Sequence, residues 1–173
     1  MELMDIIKKR RSIRNYDSSK KVDTASIEKL IEAAVYAPSG GNVQPYKFLV
    51  ISNEEKKKEF VETALRQDFI KDASCAIVVC IDKEAAIQSY GKRGLRLYSI
   101  QDTAASIQNM LLTAQSLGLS TCWVGAFDEI KVANCLDLSS NLRPIAVIPV
   151  GYSDQEPGQR KLKNINEILE WID

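Results

Sequence analysis

A cluster of cationic side chains near the N-terminus, in the stretch KKRRSIR, has residue types suited to binding a phosphate group. Arg10, Ser12 and Arg14 alternate along the chain, so an extended backbone would point all three in one direction. Two guanidinium groups and a hydroxyl suit a phosphate monoester. Arg11 belongs to the same run. Cations at a helix C-terminus also stabilise the helix dipole, so a solvated helix end is the alternative interpretation.

A second polar cluster, in the stretch APSGGNVQP, follows a helical pattern and precedes a strand-like one. Its candidate site residues are Pro38, Ser39, Gly40, Asn42 and Gln44. Pro, Ser, Gly and Asn are common turn residues, so a tight connection explains part of this composition. The density of hydrogen-bonding side chains favours a rim that lines a polar, planar ligand.

Small residues at the end of an apolar run form a third candidate segment, TCWVGAF. Trp123 and Val124 are followed there by Gly125 and Ala126. Such residues let a flat ring approach backbone N–H groups, although a strand that ends in a glycine turn has the same pattern. A late basic arm contributes Arg160, Lys161 and Lys163. A charge run of this kind is usually a solvated surface, so the arm alone identifies no site.

The composition excludes several classes of function. The 173-residue chain contains no histidine, which removes Ser-His-Asp and Cys-His nucleophilic schemes and any His-ligated metal. Lys plus Arg and Asp plus Glu both number 23, so the net charge of zero gives no bulk attraction to nucleic acid or to an anionic membrane. We therefore predict no metal site, no nucleic-acid partner and no membrane partner. Demanding chemistry is expected to come from a bound group rather than from side chains.

The location is predicted to be cytoplasmic. No apolar run reaches the roughly 18 residues of a membrane-spanning helix, and the N-terminus lacks the order of a secretory signal. The four cysteines, at positions 75, 80, 122 and 135, form no CxxC pair. They are expected to be free, and three of them lie in strand-like apolar stretches.

The pattern along the chain predicts a single α+β domain over residues 1–173, in which helices cover a small sheet. Strands are expected at YKFLVIS, SCAIVVCID and LRPIAVIPVGYS, and a strand or a strand followed by a loop at LSTCWVGAF. SCAIVVCID is nearly all apolar, which is typical of a central strand covered on both faces. An apolar helix is predicted from Ser99 to Leu117, with Ile100 and Ile107 in its buried stripe. EEKKKEFVETALRQDFI is predicted to be one charged, solvated helix.

Taken together and in order, RRSIRNY, APSGGNVQPYKF, QDTAASIQNMLLTAQSLGLSTCWVGAF and the late basic arm resemble the nitroreductase family of FMN-dependent flavoproteins. The resemblance covers essentially the whole chain and is strongest near the N-terminus and in residues 98–127. It implies an α+β, nitroreductase-like three-layer sandwich with a small, mainly antiparallel sheet. It also implies a homodimer of the domain-swapped type, with one FMN in each of two clefts between the subunits.

The resemblance further implies roles for the candidate residues. The FMN phosphate and ribityl chain would be held by the N-terminal run and the tail, namely Arg10, Arg11, Ser12, Arg14, Arg160, and Lys161 or Lys163. The isoalloxazine would be lined by a loop of the other subunit, namely Pro38, Ser39, Gly40 and Asn42, with Gln44 near the ring system. The stretch expected at flavin N5 is Trp123, Val124, Gly125 and Ala126, through its backbone. Arg66 and Gln67 align loosely with family positions at the pyrimidine edge.

The function implied is that of an FMN-dependent oxidoreductase. Hydride would pass from NAD(P)H through flavin N5 to nitroaromatic, quinone or related acceptors in a ping-pong cycle, and no side chain is assigned a catalytic role. Segment 83–97, which often shapes substrate access in the family, is small and basic, which leaves the acceptor open. The choice between NADH and NADPH is also open. Two alternatives stand beside this function. One is a specialised flavoenzyme that dehalogenates or fragments its flavin, and the other is a flavin-binding sensor or storage module with little turnover.

Overall fold

The computed structural model describes residues 2–158 and 160–172, which form a four-stranded antiparallel sheet with helices on both faces. The strands are β1 (Tyr46–Ile51), β2 (Cys75–Asp82), β3 (Ser120–Thr121) and β4 (Leu142–Gly151). The helices are α1 (Leu3–Lys9), α2 (Thr24–Val35), α3 (Glu54–Phe60), α4 (Lys83–Arg93), α5 (Ser99–Ser116) and α6 (Glu129–Cys135). The short turns are 3-10 at Gly40–Asn42, Asp68–Asp72 and Ile165–Glu167, and π at Val61–Leu65 and Gly94–Tyr98.

Strand β2 lies in the middle of the sheet, whose order is β1-β2-β4-β3. Val79 lies opposite Phe48 of β1, and Val78 lies opposite Val147 of β4. Every residue of β2 from Cys75 to Ile81 is buried. This burial follows from the unbroken apolar run, since alternate side chains enter opposite faces of the sheet. The prediction of a central strand is confirmed.

Two hydrophobic cores lie on the two faces of the sheet. On one face, α2 and α5 cover β2, with Leu30 and Ile107 packed against Ile77 and Val79. The other core contains Ala76, Val78 and Cys80 of β2 together with residues of α3, the turn after it and α6. Helices, sheet and helices therefore form three layers. The predicted α+β fold with a small antiparallel sheet is confirmed.

Helix α5 has polar residues on its buried face, which the predicted stripe did not include. Asp102, Thr103 and Ser106 are buried, whereas Ile100 is 44% exposed. The hydroxyl of Ser106 donates a hydrogen bond of 2.9 Å to the carbonyl oxygen of Ala34, where α2 ends. Because exposed helix-end carbonyls need donors, polar side chains of α5 are packed against that end. Apolar periodicity therefore predicted the buried face of α5 incorrectly in the N-terminal half of the helix.

The segment after β1 is not one solvated helix, so that prediction is wrong. Helix α3 ends at Phe60, a π turn continues to Leu65, and Arg66 then adopts φ 54°. A residue in the left-handed conformation ends a helix, and no residue type in this segment predicted one at Arg66. Phe60 and Leu65 are buried in the second core. The segment therefore has a charged side and an apolar side, and the apolar side packs into the second core.

All four cysteines are free, as predicted. Burial raises the pKa of the Cys75 thiol to about 11 and that of the Cys80 thiol to about 12. Thiols that resist ionisation in this way are poor nucleophiles, so these two have a packing role. Within the described ranges, no helix combines the length and the hydropathy needed to cross a membrane.

Candidate functional site

The N-terminal basic run is extended and lies beside β3. Ser12 forms a parallel bridge with Thr121, and the N–H of Ile13 donates to the Thr121 carbonyl oxygen at 2.9 Å. Ile13 is buried, whereas Ser12 and Arg14 are exposed. The alternation expected from the sequence is therefore present, with the apolar side chain inward and its neighbours outward.

The cations of this run have no anionic partner within the protein as described. The pKa of Arg10 is lowered, most by partial burial and then by the nearby charges of Arg160 and Arg11. Arg160 of the tail therefore lies close to Arg10. Of the ion pairs formed by residues 2–158 and 160–172, none includes Arg10, Arg14 or Arg160. Guanidinium groups that repel one another without a carboxylate between them form a site for an anion.

Arg11 has a different position from its neighbours. Its guanidinium turns back and donates to the carbonyl oxygens of Lys8 and Arg10, the latter at 3.0 Å. It also lines a pocket of about 330 Å³ with Lys8, Arg160 and Leu162. Arg11 therefore satisfies carbonyls at the C-terminus of α1 and closes the outer side of the cationic cluster. Of the remaining tail cations, Lys161 and Lys163 are exposed.

The third candidate segment meets this basic run at Thr121 and Cys122, just before the strand end at Trp123–Ala126. Val124 pairs with Val147 through two backbone hydrogen bonds of 3.0 and 2.9 Å, and Gly125 and Ala126 then leave the sheet exposed. At the start of the segment, burial raises the pKa of the Cys122 thiol, while Arg14, the Ser12 hydroxyl and Arg10 act in the opposite direction. The structure therefore brings the first and third candidate segments together.

Gln67 joins the same strand end, which the sequence indicated only loosely. Its side-chain amide donates a hydrogen bond of 2.9 Å to the carbonyl oxygen of Ala126. The left-handed Arg66 before it reverses the chain and brings Gln67 to this point. Gln67 therefore fixes the orientation of the Ala126–Phe127 peptide, directly after Gly125. Nothing in the local sequence links positions 67 and 126.

The loop from Pro38 to Gln44 has an unusual backbone that its own hydrogen bonds hold in place. Gly41, Asn42 and Gln44 have φ values of 55°, 58° and 52°. The Ser39 hydroxyl accepts from the Gln44 N–H at 3.1 Å, and the Gln44 amide donates to the Asn42 oxygen at 3.1 Å. Left-handed residues other than glycine cost about 1–3 kcal/mol each and are typical of functional sites.

Asp102 of α5 anchors this loop and was not among the candidate residues. Its buried carboxylate accepts a hydrogen bond of 3.0 Å from the Gly40 N–H. The Tyr46 hydroxyl is also buried here and has no partner among the described residues. Burial raises the pKa of Tyr46, and the nearby charge of Asp102 raises it further. An acidic residue within the otherwise uncharged run SIQDTAASIQNMLLTAQS is the signal that could have identified Asp102.

The loop and the basic run lie at opposite ends of α5. The loop is bound to Asp102 in the first turn of the helix, and the basic run is bound to β3, which follows the last turn. A helix of 18 residues is about 27 Å long at 1.5 Å per residue. One chain therefore presents two separate surfaces, and the second candidate segment does not join the other two.

Comparison with known proteins bears on what this arrangement does. The model of the nitroreductase family matches residues 7–67 and 61–152, which include the basic run, the loop and the strand end. The chain belongs to the nitroreductase family. The matched range covers every candidate segment except the C-terminal arm, so the arrangement described above is that of a family member.

Individual relatives agree with the family match. A Methanothermobacter thermautotrophicus protein, provisionally named an NADH dehydrogenase/NAD(P)H nitroreductase, is 32% identical over 94% of this chain and 83% of its own length. A nitroreductase family protein from Clostridium difficile 630 has a TM-score of 0.84 and 32% identity, over 99% of this chain and 98% of that one. A provisionally named nitroreductase from Exiguobacterium sibiricum, solved in complex with FMN, has a TM-score of 0.86 and 24% identity, over 99% and 97%.

Proposed function

We propose that this nitroreductase-family protein is an FMN-dependent oxidoreductase that transfers hydride from NAD(P)H to nitroaromatic, quinone or related acceptors in a ping-pong cycle. The observation that carries the proposal is the group of Arg10, with Arg160 beside it, and Arg14, which lies with Arg10 near Cys122. These cations lack an anionic partner in the described chain, and the segment that contains Cys122 leads to the exposed residues Gly125 and Ala126. Such a site suits a ligand with a phosphate at one end and a flat ring at the other. The relative named for NAD(P)H and the one bound to FMN support this choice.

The residues present fit FMN in charge and in size. A phosphate would neutralise the guanidinium groups of Arg10 and Arg160, which otherwise repel each other, and Arg14 would add a further positive charge. The Ser12 hydroxyl, next to Arg10 and Arg14 in the extended run, suits the ribityl chain. Gly125 has open space around its Cα, since a Cβ placed there would come no closer than 4.0 Å to another residue. A flat ring can therefore approach the backbone at this point.

In the proposed mechanism the side chains bind and orient, and FMN supplies the hydride chemistry when it is bound. The guanidinium groups would hold the phosphate, and the exposed backbone N–H groups of Gly125 and Ala126 would be available to donate to the ring. Gln67 holds the next peptide, Ala126–Phe127, through its bond to the Ala126 carbonyl and so restrains the chain beside the ring. No side chain is assigned as an acid or a base, since solvent reaches this exposed edge and can deliver protons.

We propose that the active form is a homodimer and that the loop of one subunit serves the FMN held by the other. The loop and the basic run lie at opposite ends of α5. In one chain they are therefore too far apart to line the same cleft. The tail supports the same assembly, because it carries large apolar side chains that the chain itself leaves exposed: Leu162, Ile165, Ile168, Leu169, Trp171 and Ile172. Apolar surface of this extent favours a partner, here a second copy.

We further propose that residues 1–173 are one FMN-binding domain, because both cores share the sheet and the tail supplies a phosphate ligand. We retain the cytoplasm as the proposed compartment, since four free cysteines suit reducing surroundings.

The absorbance spectrum of the purified, FMN-loaded protein tests the function. Anaerobic NADH or NADPH should bleach the flavin band, and a quinone or a nitrofuran should restore it. Absence of bound flavin would overturn the proposal. Tight FMN binding without reduction by either nucleotide would favour the sensor or storage alternative. Loss of flavin in air without an acceptor would favour the fragmenting one.

A further inference from the structure

The segment from Tyr90 to Tyr98, which joins α4 to α5, has an irregular backbone and carries two packed tyrosines. Helix α4 is interrupted at Tyr90, with φ −137°, and at Gly91, with φ 55° and ψ −143°. A π turn follows from Gly94 to Tyr98. The rings of Tyr90 and Tyr98 meet edge to face with centroids 5.2 Å apart. The kink at Gly91 therefore places two rings in contact that a continuous helix would separate.

These tyrosines pack directly on the loop that we propose lines the flavin. A Cβ added at Gly41 would collide with the Tyr90 hydroxyl, and one added at Gly40 would lie 3.7 Å from the Tyr98 Cβ. The absence of a side chain at Gly41 thus allows the Tyr90 ring to reach the loop backbone, and Tyr98 packs beside Gly40. The Tyr90–Tyr98 segment and the loop form one continuous surface.

The same segment is strongly cationic. Lys92, Arg93 and Arg96 are exposed, and residues 90–98 contain no acidic side chain. None of the three forms an ion pair with any residue that the structure describes. The nearest carboxylate along the chain, that of Asp102, is buried and bound to the Gly40 N–H. No acidic side chain in this segment therefore balances the positive charge of Lys92, Arg93 and Arg96 beside the loop.

Arg93 is held in place, unlike an ordinary solvated arginine. Its guanidinium lies 5.3 Å from the centre of the Tyr98 ring, and its Nε donates to the Tyr98 hydroxyl at 2.9 Å. Tyr98 in turn contacts Tyr90 and the loop. Because one bond fixes the fork while its terminal N–H groups remain exposed, Arg93 is ready to bind an oxygen anion.

We propose that the cation–tyrosine ridge, defined as Tyr90, Lys92, Arg93, Arg96 and Tyr98, selects reactants that carry an anionic group beside a planar ring. The inference rests on the proposed function, since the ridge adjoins the proposed flavin edge. The tyrosines limit the thickness of the ring that enters, and the arginines recognise its sulfonate, carboxylate or phosphate. Such a group occurs on an acidic aromatic acceptor and also on the 2′-phosphate of NADPH.

The test compares charged and neutral reactants in separate half-reactions of the FMN-loaded dimer. For the acceptor, reduced enzyme is mixed in a stopped-flow instrument with 1,4-naphthoquinone or with its 2-sulfonate. For the donor, oxidised enzyme is mixed with NADH or with NADPH. In the Arg93→Ala/Arg96→Ala variant, the second-order rate constant for the charged reactant should fall about fivefold, while that for its neutral counterpart changes less than about twofold. The difference should shrink as salt is added.

Matched variants separate charge from structure. Lys131→Ala removes an exposed cation from α6, outside the candidate site, and should leave both ratios unchanged. Arg93→Lys keeps the charge but loses the planar fork, so it should recover part of the selectivity. A loss confined to the sulfonate identifies the acceptor as the anionic reactant, and a loss confined to NADPH identifies the nucleotide phosphate.

Unchanged ratios in both half-reactions would overturn the proposal. An equal loss for charged and neutral reactants would also overturn it, because the ridge would then only support the loop. Failure of the proposed function is seen separately, as unmodified protein whose flavin neither nucleotide reduces. The acceptor half-reaction can still be measured in that case after reduction with dithionite.

Discussion

The two ends of α5 differ in how their polar groups are satisfied. At the basic end, Arg10 lies close to Arg160, and Arg14 lies with Arg10 near Cys122. None of the three has a carboxylate partner in the chain as described. At the loop end, the side chains of Ser39 and Asn42 accept hydrogen bonds from the same loop, and Asp102 fixes its backbone. The basic end therefore needs a ligand to balance its charge, whereas the loop end is a surface that is already formed. We expect affinity to come from the first and shape from the second.

The largest effect is expected at the basic end. Arg10→Ala and Arg14→Ala each remove a charge-assisted contact of about 1.5–3 kcal/mol, so the dissociation constant for FMN should rise about 10- to 150-fold in each variant. Titration of apoprotein with FMN, followed by quenching of flavin fluorescence, measures the change.

Lys131→Ala provides the control for lost positive charge, because Lys131 is exposed on α6 outside the candidate site. It should bind FMN as the unmodified protein does. Full retention of FMN in both arginine variants would show that the phosphate lies elsewhere, and the contrast between the two ends would disappear.

At the loop end, the largest effect is expected from Asp102→Ala. The Gly40 N–H would lose its acceptor, which costs about 1–3 kcal/mol when a buried group is left unpaired. Urea unfolding of the apoprotein should show this loss, while FMN affinity should fall less than in the arginine variants. Asp102→Asn keeps an oxygen acceptor and should lose less stability. If Asp102→Ala weakened FMN binding more than Arg10→Ala did, the loop end would be a source of affinity and the distinction would be wrong.

Local patterns predicted the elements of this fold but not the contacts between them. The unbroken apolar run of Cys75–Ile81 is enough to identify a central strand, because only burial on both faces tolerates such a run. In contrast, the break after α3 depends on the left-handed backbone of Arg66, a conformation that arginine rarely adopts. The bond from Gln67 to Ala126 joins residues 59 positions apart, and no local pattern encodes it.

The candidate site shows the same division between local and long-range information. The alternation of Arg10, Ser12 and Arg14 predicted an extended run, because that spacing has a clear geometric meaning. Asp102 was missed, since its partner at Gly40 lies 62 positions away. The separation of the two ends follows from the length of α5 and from the elements docked at each end. Neither end alone reveals it.

A mixing experiment tests whether the two ends of different chains meet in one cleft. The Arg10→Ala/Arg14→Ala chain has a damaged basic end, and the Gly41→Val chain has a damaged loop, because φ 55° strains a branched side chain. In a two-fold dimer of the two, one cleft combines both intact ends. After mixing and reassociation, about a quarter of all clefts should bind FMN as tightly as the unmodified protein, whereas every cleft of either parent should bind it less tightly.

The stoichiometry of bound FMN after gel filtration gives the result of the mixing experiment. A mixture that binds no more FMN than its parents would mean that both ends of one chain serve the same cleft. Remixed unmodified protein controls for losses during dissociation. Dilution of unmodified dimer should release FMN together with dimer dissociation, and a stable FMN-loaded monomer would contradict the shared cleft.

The smallest effect is expected from the strain of the loop itself. Gln44 adopts φ 52°, so Gln44→Gly should relieve backbone strain while adding freedom to the unfolded chain, and the free energy of unfolding should change by less than about 1 kcal/mol. Asp137 is a matched control because it has φ 48° and lies outside the candidate site. Asp137→Gly should change stability by a similar amount and leave FMN affinity unchanged. Gln44→Gly should weaken FMN binding about two- to fivefold, because the loop would lose the bond from Gln44 to Asn42 and its fixed shape. Equal FMN affinity in both glycine variants would show that the strained loop is only a connection between α2 and β1.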